Sequence, residues 1–93
     1  MQTIFHIPKV GYIIGFRRGG GRVYQDEVLL RFPGIDDYKR AHILLHKIVV
    51  WDNGSTKIYG VIERVHGKKG TVIAHFRKPL PGQAISTSVY VIR

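Results

Sequence analysis

Apolar and polar residues alternate with a period of two along most of this chain, the mark of half-buried β-strands. From Val10 to Arg18, one face carries Val10, Tyr12, Ile14 and Phe16, and the other carries Gly11, Ile13, Gly15 and Arg17. Core packing is the expected role of Tyr12 and Phe16. The two glycines admit a close neighbour, or a bend of the kind a barrel needs. Gln25 to Phe32 sets Val28, Leu30 and Phe32 against Glu27, Leu29 and Arg31, and Pro33-Gly34 ends that strand. Lys47 to Trp51 is apolar on both faces and reads as a well-covered strand. A turn at Asp52-Asn53-Gly54-Ser55 leads into Lys57 to Val65, with Gly60 as the expected bulge. Thr71 to Arg77 alternates most regularly, with Val72, Ala74 and Phe76 toward a core and Thr71, Ile73, His75 and Arg77 outward. Leu80-Pro81-Gly82-Gln83 fits a type II turn, and Ser86 to Ile92 supplies the last strand.

One segment departs from the period of two. Asp36 to Leu45 places Tyr38, Ala41, Leu44 and Leu45 on one stripe at helical spacing, with Asp36 or Asp37 as the cap. Six short strands and one short helix predict a mainly β fold, a small antiparallel barrel that closes its own edges. At 93 residues, the whole span 1–93 is expected to be one domain.

Two strand connections stand out for charge. Arg17-Arg18-Gly19-Gly20-Gly21-Arg22 reads as a flexible basic loop that either orders on a phosphate backbone or stays solvated. It has neither the Gly-Lys-Ser/Thr end of a phosphate loop nor the spacing of a dinucleotide site. Arg64-Val65-His66-Gly67-Lys68-Lys69-Gly70 reads as a hairpin with a cationic tip, where Gly67 and Gly70 supply positive φ. His66 either contacts RNA or only shapes the turn.

The net charge of +9 is unevenly spread. Residues 1–25 hold four basic residues and no acid, residues 26–62 hold five of each sign, and residues 63–79 hold five basic residues against Glu63 alone. That distribution is the footprint of a polyanion binder. The candidate RNA contacts are Arg17, Arg18, Arg22, Arg64, His66, Gly67, Lys68, Lys69, Arg77 and Lys78. They would form one patch if the fold brings both segments to the same side. Tyr12, Phe16, Tyr24 and His66 lie near these charges, where an exposed ring can stack on an unpaired base.

Catalysis, metal and cofactor find little support. There is no cysteine and no Gly-x-Ser-x-Gly elbow. His42 and His46 have metal-ligand spacing on a helix, but Ile43 stands where the zinc-protease motif needs Glu, and no third ligand is evident. The six acids fit a strand end, a helix cap, a turn and an exposed strand face. No enzyme activity, cofactor, metal or small-molecule substrate is expected. Met1 to Pro8 has no basic start and no long apolar run, so neither a signal peptide nor a membrane contact is expected, and the cytosol is the expected compartment.

Arg64-Val65-His66-Gly67-Lys68-Lys69-Gly70-Thr71-Val72, then Ala74, Phe76 and Leu80-Pro81-Gly82-Gln83-Ala84, resembles the archaeal and eukaryotic large-subunit ribosomal protein family numbered thirty-five Ae, or thirty-three in the unified naming. The strand ending Phe16-Arg17-Arg18, Gln25, the helix before Leu45 and Val49-Val50-Trp51 agree. The small turn at Asp52 to Thr56 and the short N-terminus look like the archaeal form. The family usually carries glycine at the position of His46, and Asn-Gln where Tyr24-Gln25 stands here. The resemblance implies a six-stranded barrel similar to that of translation factors, bound to large-subunit ribosomal RNA beside neighbouring ribosomal proteins in the cytoplasm. Two other readings of the residues are a maturation or tRNA-binding barrel module and a small basic barrel on duplex DNA.

Overall fold

The structure, a computed structural model, describes residues 8–93, so the reading of the N-terminal stretch before Pro8 lies outside the described residues. Six strands form: β1 (Val10–Gly19), β2 (Arg22–Arg31), β3 (Ile48–Asp52), β4 (Lys57–His66), β5 (Thr71–Phe76) and β6 (Ser88–Val91). They close into an antiparallel barrel in the order β1-β2-β5-β4-β3-β6, as the pattern predicts. Val28, Leu30, Ile62, Val72, Ala74, Phe76 and Val89 point inward and are fully buried. Each large apolar side chain removed from water in this way contributes about 1.5–3 kcal/mol. Phe32, Ile35, Leu44 and Leu80 come from the connections and join the same core.

Several local expectations need correction. The basic stretch after Phe16 is not a loose loop. After a register shift between Phe16 and Arg17, β1 and β2 pair again from Arg17–Tyr24 to Gly19–Arg22, joined by Gly20 and Gly21 alone. Both glycines have positive φ (59° and 74°), the backbone whose twist matches the flanking strands. On β1 the alternation slips, because the register shifts between Ile13 and Gly15. Phe16 therefore turns inward as expected, whereas Tyr12 faces solvent at 47% exposure.

Gly60 is not a bulge either. It pairs regularly with Val49 and Phe76. A Cβ there would lie 2.8 Å from the His75 carbonyl oxygen and 2.9 Å from the Phe76 ring, so the missing side chain makes room for close packing. The β4 bulge falls between Ile62 and Arg64, which leaves Glu63 and Arg64 both exposed. The Leu80–Gln83 turn is not type II. Pro81 is extended, Gly82 lacks positive φ, and Gly82–Ala84 make one 3-10 turn. Ile73 lies on the outer face of β5 but is buried there, for reasons given below.

The helix is shorter than its pattern. α1 (Tyr38–Ala41) is one turn, continued by a 3-10 turn at His42–Leu44. Asp37 caps it, its carboxylate accepting the Arg40 N–H at 2.8 Å. Tyr38 belongs to the predicted stripe but is exposed, whereas Ala41 and Leu44 are buried. The exit is forced by His46. Its N–H donates to the Ile62 carbonyl at 2.8 Å while its φ is 68°, a region unfavourable for a residue with a Cβ.

Gly70 is the tightest point of the chain. Its φ is 93°, and a Cβ would sit 2.2 Å from the Ile35 carbonyl oxygen. Gly70→Ala should therefore cost about 3 kcal/mol or more in urea unfolding, through combined strain and overpacking. A loss below about 1 kcal/mol would mean that the Ile35 segment gives way. In the same assay His46→Gly should gain about 0.5–1 kcal/mol, since it relieves a left-handed backbone.

Candidate nucleic-acid interface

The β2–β5 register decides where the charges go. Leu30 pairs with Val72, and Glu27 pairs with His75. Following β2 back toward its start therefore moves past the end of β5. The Leu80 N–H donating to the Gln25 carbonyl at 2.9 Å continues the same path. The β1–β2 tip and the β4–β5 tip accordingly emerge at opposite ends of the barrel. On the facing strand the stretch between the Gly19–Arg22 and Ile13–Leu30 pairs is six steps, at most about 20 Å, before the three further residues from Val72 back to Lys69.

Each predicted cation can now be placed. Arg22 opens β2 beside the Gly20-Gly21 turn, with Arg18 on the facing strand. Arg77 and Lys78 follow β5 at that same end, and both are exposed. Gly67, Lys68 and Lys69 form the opposite tip, exposed and beside the Ile35 segment that packs on Gly70. Gly67 (φ 75°) and Gly70 do supply the positive φ expected of them. Of the two arrangements left open by the charge census, the tips do not form one patch, because antiparallel pairing of β2 with β5 sends the two hairpins to opposite ends; the two basic segments approach each other only along the wall between the ends.

Between the ends, Arg17 and Arg64 meet at one acid. Arg17 Nη1 donates to Glu27 Oε2 at 3.0 Å, and Arg64 Nη2 lies 3.9 Å from Oε1. The Glu27 carboxylate is mostly buried between them. Arg17 also lies over the Tyr24 ring, 4.8 Å from its centroid, so its guanidinium is held from two directions. Beside this pair runs a groove of 440 Å³ lined by Phe16, Arg17, Arg18, Leu29, Arg64, His66 and Ile73. A larger groove of 640 Å³ lies elsewhere on the outer wall, over Ile48, Tyr59, Val61 and Ile92 with Arg77 and Arg93 at its rim. The arginine groove is where the predicted cations converge.

Sequence reading missed Glu27, Leu29 and Ile73 as parts of this wall. Glu27 looked like an ordinary exposed acid on an alternating strand. Its signal was present only as an acid facing the same way as Leu29, next to a basic hairpin. His42 and His46 do not form a metal site. The His42 ring nitrogen Nδ1 is 2.7 Å from the Tyr38 carbonyl oxygen, and among the described residues no three His, Cys, Asp or Glu side chains gather.

The sequence comparisons agree with one another. The family described as ribosomal protein L35Ae matches residues 9–92. A large ribosomal subunit protein eL33 from Methanopyrus kandleri is 32% identical over 83 residues, covering 87% of this chain and 92% of that protein. A protein of the same name from Aeropyrum pernix is 32% identical over 85 residues, 89% of each chain.

Glu27→Ala releases both arginines. Because Arg17 and Arg64 stay partly in solvent, the expected loss of stability is only about 0.5–1 kcal/mol. The loss should shrink as salt is raised. Urea unfolding at low and high salt measures both, and a salt-independent loss would show that packing, rather than charge, is the cause.

Proposed function

The chain belongs to the ribosomal protein L35Ae family, and on that premise we propose that it is a structural constituent of the large ribosomal subunit, in the cytoplasm, which ties together two segments of ribosomal RNA. The observation that carries this reading is the opposed placement of the two basic tips. One end presents Arg18, Arg22, Arg77 and Lys78. The other presents Lys68 and Lys69, with Gly67 bringing the backbone close and His66 at the edge. Both neutralise phosphates and release counterions. Arg18 and Arg22 add the planar fork that fits a phosphate. The rigid barrel between them fixes the span, so the protein acts as a spacer between RNA helices and needs no turnover. Its remaining outer wall, with Tyr59, Val61, Tyr90 and Ile92 exposed, is available to neighbouring ribosomal proteins.

The test is the salt dependence of binding to large-subunit ribosomal RNA. Lys68→Ala with Lys69→Ala should flatten the slope of log K against log salt by about 1–2, and Arg18→Ala with Arg22→Ala by a similar amount. Cross-linking from each tip should reach different RNA segments. Cross-links from both tips to one short segment would overturn the bridging picture. An unchanged slope in the lysine variant would remove that tip from the interface. A maturation factor, by contrast, would wash off large subunits at high salt, whereas a constituent stays one-to-one.

A further inference from the structure

We propose that the groove between Arg17 and Arg64 is a receptor for one unpaired nucleotide of the RNA, lying between the two tips that meet phosphates along paired helices and sharing Arg18 and His66 with them. The proposal rests on the reading of the chain as a ribosomal RNA binder and deepens it.

The groove is built from one cross-strand row on the outside of the barrel. Gly15 pairs with Leu29, Leu29 with Ile73, and Ile73 with Arg64. Gly15 contributes no side chain, so the row is open at its β1 end. A Cβ there would just touch Leu29, at 3.7 Å. Leu29, partly exposed, makes an apolar floor with Ile73 packed beneath it, where an outward face of a sheet would ordinarily carry polar residues. Ile73 is 1% exposed although it points away from the core, because it lies beneath the groove's charged walls. Those walls are Arg17 and Arg18 on one side and Arg64 and His66 on the other.

This composition suits a nucleotide better than a phosphate alone. A phosphate needs only the cations. The apolar floor gains nothing from an anion, but it can carry the face of a base, and guanidinium planes stack on bases as well. Three arginines against Glu27 leave the groove positive for the adjoining phosphate. Glu27 holds Arg17 by a 3.0 Å hydrogen bond and keeps Arg64 within 3.9 Å. The Arg17 wall is therefore ordered before the ligand arrives, which lowers the entropy lost on binding. At 440 Å³ the groove has the size of a small-ligand site, roughly 300–1,000 Å³. A duplex cannot enter it, since its bases are stacked and paired. A bulged or looped-out nucleotide can.

The first experiment uses the unaltered chain. ¹⁵N-labelled protein is titrated with adenosine 5′-monophosphate and, in parallel, with inorganic phosphate. The nucleotide should shift the Leu29 and Ile73 amides, and phosphate at equal concentration should leave them in place. Equal shifts from both ligands, or no shift at those amides, overturn the proposal. The second compares a fully paired RNA duplex with the same duplex carrying one bulged adenosine, at one salt concentration. The bulged form should bind about tenfold more tightly. Leu29→Gln and Leu29→Thr should each remove that preference while duplex affinity is kept. Thermal melting confirms that each variant folds, and either one suffices. Duplex binding with no preference for the bulge overturns the groove alone, whereas failure to bind either RNA overturns the ribosomal reading with it. A preference retained in the folded variants assigns base recognition elsewhere and also overturns the groove.

Discussion

Everything in this molecule hangs on the pairing of β2 with β5. These strands are not consecutive, and their ladder from Glu27–His75 to Leu30–Val72 joins the two long hairpins into one sheet. β6 then closes the other side, pairing with β1 at Tyr12–Ser88 and with β3 at Val50–Tyr90. A slip of one residue in the β2–β5 ladder would turn either Val28 and Leu30 or Val72 and Ala74 out of the core. The register is thus fixed by burial. Once it is fixed, the direction in which each hairpin points is fixed too. The separation of the two cationic tips follows from core packing and requires no further interaction.

The same ladder explains why a groove forms on the outside. Leu29 and Ile73 must face outward if their neighbours face inward, and they are directly opposed. Neither can reach the core, so their apolar surface has to be covered locally. Beside the arginines of β1 and β4 Ile73 is shut off from water while Leu29 stays partly open, and the guanidinium groups are left near water. Glu27, two residues before Leu29 on β2, stops two like charges from pushing the cover apart. A charged wall over an apolar floor is the result of alternation applied to a residue pair that breaks its polarity rule.

The barrel was legible in the sequence because burial imposes alternation, and alternation is visible residue by residue at Val72, Ala74 and Phe76. The turn glycines were legible where positive φ leaves little choice, at Gly67 and Gly70. What failed were statements that depend on register. The slip after Ile13 reverses which β1 residues face the core, and no local pattern announces it. The extra strand length through Arg17 and Arg18 depends on a two-glycine turn that composition alone reads as slack. Gly60 could have been a bulge or a close approach, and only the Phe76 ring from the neighbouring strand decides. His46 is a further case, since the left-handed exit was visible only through a family that usually places glycine there. For the site, the sequence identified the cations but not their grouping. Arg17 and Arg64 are far apart along the chain, and Glu27 between them looked unremarkable.

The single tryptophan gives the fold a built-in optical reporter. Trp51 sits in the core cluster at 6% exposure, and its indole Nε1–H donates to the Thr87 hydroxyl at 2.9 Å. That hydroxyl in turn donates to the Ala84 carbonyl, so the indole is fastened to the segment that leads into the closing strand. Its emission therefore senses whether the barrel is shut, from a position inside the wall. Fluorescence at this one residue follows closure of the chain on itself separately from its attachment to RNA.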